Sequence, residues 1–385
     1  MRRGDGQGTA DTIVRGDAAA GVVDSGNVAW LADLSRARRE GPRLTARNPD
    51  HWQLATKAVH AGAYEEPRTG AVGTPIFQST TFRLGADQYR AFDQGHGRDR
   101  FIYTRYGNPS QWAVQEKIAA LEGAESALVF SSGMAAITPR TQVLFFEAVT
   151  NPLLKVVDLP AVARVARAHG CRTIVDATFA TPIGVRPLAH GIDVVVHSAT
   201  KYLNGHSDLI AGAAAGERKL VDLMWTRMLV LGGCLDPHAC FLLERGLKTL
   251  ALRMRAHENG ALRVARHLEM HPKIARVHYP GLQSHPDHAL ARALYANMGG
   301  VVSFEVEGGD DAALRLAAAV SLPCEATSLG GVESLISLPF NSSHSGYTAR
   351  QRQGLGIRPG LVRLSVGIEA PEDLIDDLDA ALDAI

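Results

Sequence analysis

Residues 191–202 read GIDVVVHSATKY. Three consecutive valines, entered through a turn-forming Gly-Ile-Asp and left through small residues, describe a short strand buried on both faces. Lys201 follows just past the C-terminal edge of that strand, where open α/β sheets place their ligands. A lysine held there is partly desolvated, so its pKa falls and its amine becomes a candidate nucleophile. A structural lysine at a strand end has the same local pattern, so the chemistry stays open at this point. Ser198 and Thr200 put two hydroxyls on the same turn, suited to a phosphate.

The surroundings repeat the theme. CRTIVDATF (171–179) is a neighbouring strand that ends at Asp176. A carboxylate at that edge could keep a pyridinium nitrogen protonated, and a turn or N-cap aspartate reads equally well. LPAVARVARAHG (159–170) is a helix with a glycine stop, and QVLFFEA (142–148) is a strand before it. ALVFSS (127–132) is a strand running into SSGMAA (131–136), a strand-to-helix junction around Gly133 and Met134. Backbone N–H groups at such a junction suit phosphate, though many such turns bind nothing. NPSQWAVQEKIAALEGA (108–124) is a helix closed by Gly123. Alternating strands and helices predict an α/β fold with a buried, mainly parallel sheet. A helical stretch from Pro237 to Met270 leads to a smaller C-terminal α/β part with strands VVSFEVEG (301–308) and LVRLSVGIE (361–369) and a last helix over 371–385.

The expected division is a disordered extension over 1–52, an ordered N-terminal arm over 53–107, a cofactor-sized α/β domain over 108–235, and a linking helix with a C-terminal domain over 236–385. The extension has no apolar core of signal-peptide type, and its many acids disfavour a mitochondrial presequence. Forty Lys+Arg balance forty Asp+Glu. That removes the electrostatic case for nucleic acid or an acidic membrane as a main partner. No apolar run approaches the ~20 residues of a membrane span. Four cysteines, Cys171, Cys234, Cys240 and Cys324, lack paired or metal-type spacing, which favours a reducing, cytoplasmic setting. No metal site is expected, because His285 and His288 lack a ligand set with carboxylates on one helix.

Taken in order, SSGMAA, FFEAVTNP, DATFATP, HSATKYLNGHSD, SLGGVESLISLP and VRLSVGIE, with YTRYGNPS at 103–110, resemble the Cys/Met-metabolism (trans-sulfuration) family of pyridoxal-phosphate enzymes. The resemblance runs from about Lys57 to the C-terminus. It implies a fold type I PLP-dependent transferase with pyridoxal 5'-phosphate as cofactor, acting as a lyase or transferase on sulfur amino acids in methionine and cysteine metabolism. By motif, Lys201 resembles the Schiff-base lysine and Asp176 the pyridinium partner. Gly133, Met134, Ser198 and Thr200 resemble the phosphate cup. Tyr103 and Arg105 resemble a pair that binds the phosphate of a neighbouring subunit, which implies a homodimer or homotetramer. Asn151 resembles the residue near the cofactor's phenolic oxygen. Arg363 and Ser328 resemble the groups that hold the substrate α-carboxylate; without the family, a surface salt bridge and a turn serine read as well. The implied reaction is γ-elimination or γ-replacement on a homoserine ester, cystathionine or a related amino acid. Thr327 stands where cystathionine-processing members often have Glu, which leaves O-acylhomoserine sulfhydrylase or methionine γ-lyase activity open.

The chain departs from that pattern once. After Thr138 it lacks about 50 residues of the family length, room for a helix and one or two strands. Those residues normally carry the tyrosine that stacks on the cofactor. Only 12 residues, Ser131–Gln142, join the two flanking strands, about the minimum for a parallel crossover. The expectation is an exposed apolar sheet surface, with a catalytically impaired paralogue as the alternative to an active enzyme.

Overall fold

The computed structural model describes residues 51–64, 71–82, 101–131 and 143–385. The proposed extension up to residue 50, together with Gly133 and Met134, lies outside these. Helix α1 (Leu54–His60) precedes α2 (Pro109–Glu122). Asn108 caps α2 by accepting the Ser110 N–H at 2.8 Å, and Gly123 ends it at φ 67°. The chain then runs β1 (Ser126–Phe130), β2 (Val143–Glu147), α3 (Leu159–Ala168), β3 (Arg172–Asp176), β4 (Val194–Ser198), β5 (Gly212–Gly216) and α4 (Arg218–Leu231).

These five strands form one sheet in the order β1-β5-β4-β3-β2. β2, β3 and β4 are parallel neighbours, and β5 runs against both β4 and β1. Four strands therefore share one direction and β5 is reversed. β1 and β2 thus run parallel, as the sequence predicts, and they occupy opposite edges of the sheet. Continuous apolar strands follow from cover on both faces. Val195 and Val129 pack among α2, α3 and the later helices, while Val194, Val196 and Phe130 pack against Val221, Met224 and Met228 of α4. β2 is different. Leu144 is 39% exposed and Phe145 50% exposed, as expected for a strand at the edge of the sheet.

The anticipated single linking helix is two helices, α5 (Pro237–Leu247) and α6 (Leu250–Met270), separated at Lys248-Thr249. A second sheet follows, built from β6 (Ile274–His278), β7 (Val301–Val306), β8 (Cys324–Glu325), β9 (Leu335–Ser337) and β10 (Leu361–Ser365), in the order β6-β7-β10-β9-β8. α6, α7 (Gly309–Ala319) and α8 (Pro371–Asp383) bury its apolar face around Phe304, Val362 and Leu364. Among the described residues no helix is long and apolar enough to cross a membrane.

Lys117 of α2 is fully buried and donates from Nζ to the Val59 carbonyl at 3.0 Å, fastening α1 to α2. Burial lowers its pKa from 10.5 to about 8, opposed by Glu244 and reinforced by Lys248. The unfolded chain therefore binds more protons than the folded one between about pH 8 and 10.5, so this group adds stability as pH rises through that window. Lys117→Met is expected to remove the rise. The check is the difference in Tm between the two proteins from pH 7.5 to 10, roughly spanning that window; a difference independent of pH refutes it.

Candidate active site

Parallel pairing in register carries the strand ends to one place. Glu147 of β2 lies opposite Asp176 of β3, and Asp176 lies opposite Val196 of β4, two residues before Ser198. Beyond these ends opens a cleft of about 410 Å³, lined by Glu147, Asn151, Asp176, Ser198, Lys201, Ser328 and Arg363 among others. Sequence reasoning and structure thus agree in bringing Lys201, Asp176, Ser198, Asn151, Ser328 and Arg363 around one cavity.

Lys201 is half-buried and donates from Nζ to Ser328 Oγ at 2.6 Å. Burial first, and the Arg363 cation second, push its pKa below 10.5. Arg363 on β10 is 7% exposed; its Nη1 donates to Asn151 Oδ1 at 3.0 Å and its Nη2 to the Ser328 carbonyl at 2.9 Å. Its Nε is buried without a partner. A buried guanidinium with a spare donor and only neutral acceptors suits an arriving carboxylate. Asp176 lines the cleft, and its Oδ1 accepts the Thr178 N–H at 2.8 Å.

The SLGG loop is shaped for close approach. Ser328 has φ 118°, a region that favours glycine, so its hydroxyl is held against Lys201 at some backbone cost. Gly330 follows at φ 77°, and a Cβ there would come within 2.7 Å of the Tyr202 backbone nitrogen. Tyr202 is buried beside Lys201, and its phenol accepts the Gly300 N–H at 3.2 Å.

Other predicted residues are placed differently. The Thr200 hydroxyl accepts the Ala211 N–H at 2.9 Å and approaches the Ala211 carbonyl at 3.2 Å, so it is engaged with backbone and does not line the cleft. Tyr103 and Arg105 lie outside the cleft lining. Tyr103 is 43% exposed, and the Arg105 guanidinium stands 5.8 Å from its ring centroid and 5.6 Å from that of Tyr106. Arg105 Nε, like that of Arg363, is buried without a partner among the described residues.

Several cleft residues were missed by sequence reasoning. Glu147 accepts the Asn151 N–H at 3.0 Å. It keeps solvent on one side, yet the cleft wall raises its pKa, opposed by that N–H and assisted by the like charge of Asp176. Its place at the end of a strand parallel to β3 was the available signal. Phe179 is the aromatic side chain among the described lining residues, and it belongs to the quoted TFATP run. Ser342 and Ser343 also line the cleft, from a polar stretch without periodicity that gave no signal.

An amine with depressed pKa, a carboxylate at the next strand end and an unsatisfied buried guanidinium define an enzyme that handles amino acids through an aldehyde cofactor. The chain matches the family described as Cys/Met metabolism PLP-dependent enzyme over residues 55–138 and 135–383. It belongs to that family: it is a PLP-dependent enzyme of the lyase and transferase type, its cofactor is pyridoxal phosphate, and its substrate is a small amino acid. It is 36% identical to a cystathionine beta-lyase of Lactococcus lactis subsp. cremoris, covering 86% of this chain and 99% of the relative. It is 36% identical to an L-methionine gamma-lyase of Pseudomonas putida, covering 86% and 97%. Its structure is similar to that of a cystathione gamma lyase from Micromonospora echinospora, with TM-score 0.80, 34% identity, and coverage of 86% and 99%. The Lactococcus alignment spans 385 positions and uses about 330 residues of this chain, so about 50 positions have no counterpart here. The two stretches of the family match meet at 135–138, where the sequence predicts the shortening.

The depressed Lys201 pKa gives a direct test. In cofactor-free protein, reductive labelling of Lys201 by a small aldehyde, mapped by mass spectrometry, is expected to rise with a midpoint below pH 10.5. Arg363→Gln removes the second cause and leaves the first, so the midpoint moves up without reaching the ordinary value. No movement would show that the two groups do not interact.

Proposed function

We propose that this enzyme eliminates or replaces the γ substituent of a sulfur amino acid or homoserine ester, with Lys201 as its proton carrier. The observation that supports this best is the Lys201 amine, 2.6 Å from Ser328 Oγ and pushed towards its neutral form beside Arg363. Pyridoxal phosphate, when bound, supplies the aldehyde for the amino group and an electron sink for charge at Cα. The side chains present fit it: an amine at Lys201, a carboxylate at Asp176 for the ring nitrogen, and the Ser198 hydroxyl for the phosphate.

In this reading Arg363 binds the substrate α-carboxylate through Nε and a free Nη hydrogen. Asn151 and the Ser328 carbonyl hold the guanidinium still meanwhile. Ser328 Oγ aims Lys201 Nζ, which takes the proton from Cα and returns one to the departing side. Burial and the Arg363 cation push its pKa below the ordinary value, which makes the amine a better proton acceptor. Thr327 offers a hydroxyl where a carboxylate would grip the far ammonium of cystathionine. A substrate whose γ group carries no ammonium, methionine-like or an acylated homoserine, fits that wall better. Tyr103 and Arg105, turned away from this chain's own cleft, support a shared site in a dimer or tetramer, with Arg105 Nε for a neighbour's phosphate. The four cysteines are all free, which suits a reducing compartment such as the cytoplasm.

One observation favours a second reading, an enzyme with impaired cofactor hold. The two stretches of the family match meet at 135–138, shortly before β2 in the chain, and among the described residues Phe179 is the aromatic lining the cleft.

Borohydride reduction of the purified enzyme followed by peptide mapping is expected to place a pyridoxyl group on Lys201. Lys201→Ala should abolish absorbance at ~420 nm and lower turnover about a thousand-fold or more. Among methionine, O-acetylhomoserine, O-succinylhomoserine and cystathionine, the last should react most slowly. Turnover surviving in Lys201→Ala overturns the first reading; full cofactor stoichiometry overturns the second.

A further inference from the structure

A second cavity lies behind the loop that carries Asn151. It encloses about 230 Å³ and is lined by Lys155, Arg276, His278, His285 and Arg358, with Leu153 at its floor. The loop from Val149 to Val156 closes on itself through a bridge between those two residues and a Thr150 N–H bond to the Lys155 carbonyl at 3.0 Å. Val149 and Asn151 line the catalytic cleft, and Leu153 and Lys155 line this cavity. The two spaces share one loop and no lining residue.

His285 is the informative group. It is 4% exposed, and its Nδ1 accepts the Asp287 N–H at 3.1 Å. An acceptor Nδ1 puts the proton of the neutral ring on Nε2. Burial holds the ring neutral, with a pKa lowered to about 4; Asp287 opposes this, and His278, Arg276 and His288 add positive field. The ring therefore offers an Nε2–H donor at neutral pH, and its side chain forms part of the cavity wall.

The charges around it do not cancel. Glu305 is buried and accepts from His278 Nε2 at 2.9 Å, with Arg358 Nη1 at 3.8 Å. Asp287 Oδ2 accepts the Val156 N–H at 2.9 Å. Lys155 and Arg276 have no carboxylate within ion-pair distance among the described residues. Three cations, Lys155, Arg276 and Arg358, set against the carboxylates of Glu305 and Asp287 leave one net positive charge, and together with the His285 N–H donor on the cavity wall they are complementary to a small oxyanion.

We propose that this cavity binds a compact oxyanion, a phosphate monoester or a small dicarboxylate, at a site separate from the catalytic cleft. Lys155 and Arg276 supply the charge, and His285 Nε2–H fixes an oxygen at the buried end.

Titration calorimetry of the holoenzyme, whose cofactor fills its own phosphate subsite, tests this with inorganic phosphate and, separately, malonate at low ionic strength. At least one of them is expected to bind saturably, one per chain. Lys155→Glu/Arg276→Glu, at two exposed positions, should weaken that binding roughly ten-fold or more. The same charge change at exposed positions away from the cavity, Arg245→Glu/Arg255→Glu, should leave it nearly unchanged. Binding of phosphate alone assigns the site to phosphate monoesters, and binding of malonate alone to dicarboxylates. Absence of saturable binding by either probe, or equal weakening by the two charge reversals, overturns the proposal.

Discussion

The buried guanidinium of Arg363 ties the chemistry of this molecule together. It stands on β10 of the second sheet, yet its two Nη atoms reach Asn151, beyond the end of β2 in the first sheet, and Ser328, in the loop between β8 and β9. Ser328 in turn receives the Lys201 amine from the loop after β4. One cation thus couples four separate chain segments through three hydrogen bonds. Burial lowers its pKa, but a guanidinium remains charged, so the charge is carried by hydrogen bonds to neutral oxygens, each worth about 1.5–3 kcal/mol. Such a centre is well held and electrically unsatisfied, which is the condition for binding an anionic substrate group without rebuilding the site.

The cost of that arrangement appears in the SLGG loop. Ser328 adopts a φ of 118°, and Gly330 allows the loop to lie against Tyr202. A glycine at 328 would relax the backbone and lose the oxygen that orients Lys201. Serine is retained where the backbone disfavours it because the hydroxyl has a partner, a pattern typical of sites that hold strain for function.

What was legible in the sequence followed from burial. VVVHSAT declared a strand covered on both faces, and Lys201 beyond it declared a sheet edge. The quoted motifs then brought Asp176, Asn151, Ser328 and Arg363 to the same cleft. β5, GAAAG, was not legible, because alanine and glycine have little strand preference; this strand is specified by its pairing with β4 and β1. The break between α5 and α6 was hidden because Lys248-Thr249 carries neither glycine nor proline. Thr200 showed the limit of composition: a hydroxyl at the right place in the chain turned to the Ala211 backbone. His285 was read for metal spacing, whereas its distinguishing feature is a tautomer set by one backbone N–H, which no spacing reveals.

Strand order explains how the fold accommodates so large a shortening. β1 and β2 are the two edges of the first sheet, separated by three strands. Four strand spacings amount to roughly 19 Å, and 12 extended residues reach roughly 40 Å, so the connection is long enough to pass from edge to edge. Residues lost next to an edge strand leave every ladder between β1 and β2 intact. Residues lost between β3 and β4 would instead have separated Asp176 from Lys201. On the edge strand β2, Leu144 and Phe145 are exposed and Glu147 keeps a solvent-exposed flank beside Asp176. Asp176 and Lys201 rest on or beside interior strands and Arg363 on the second sheet, whereas Glu147 stands on the edge strand β2.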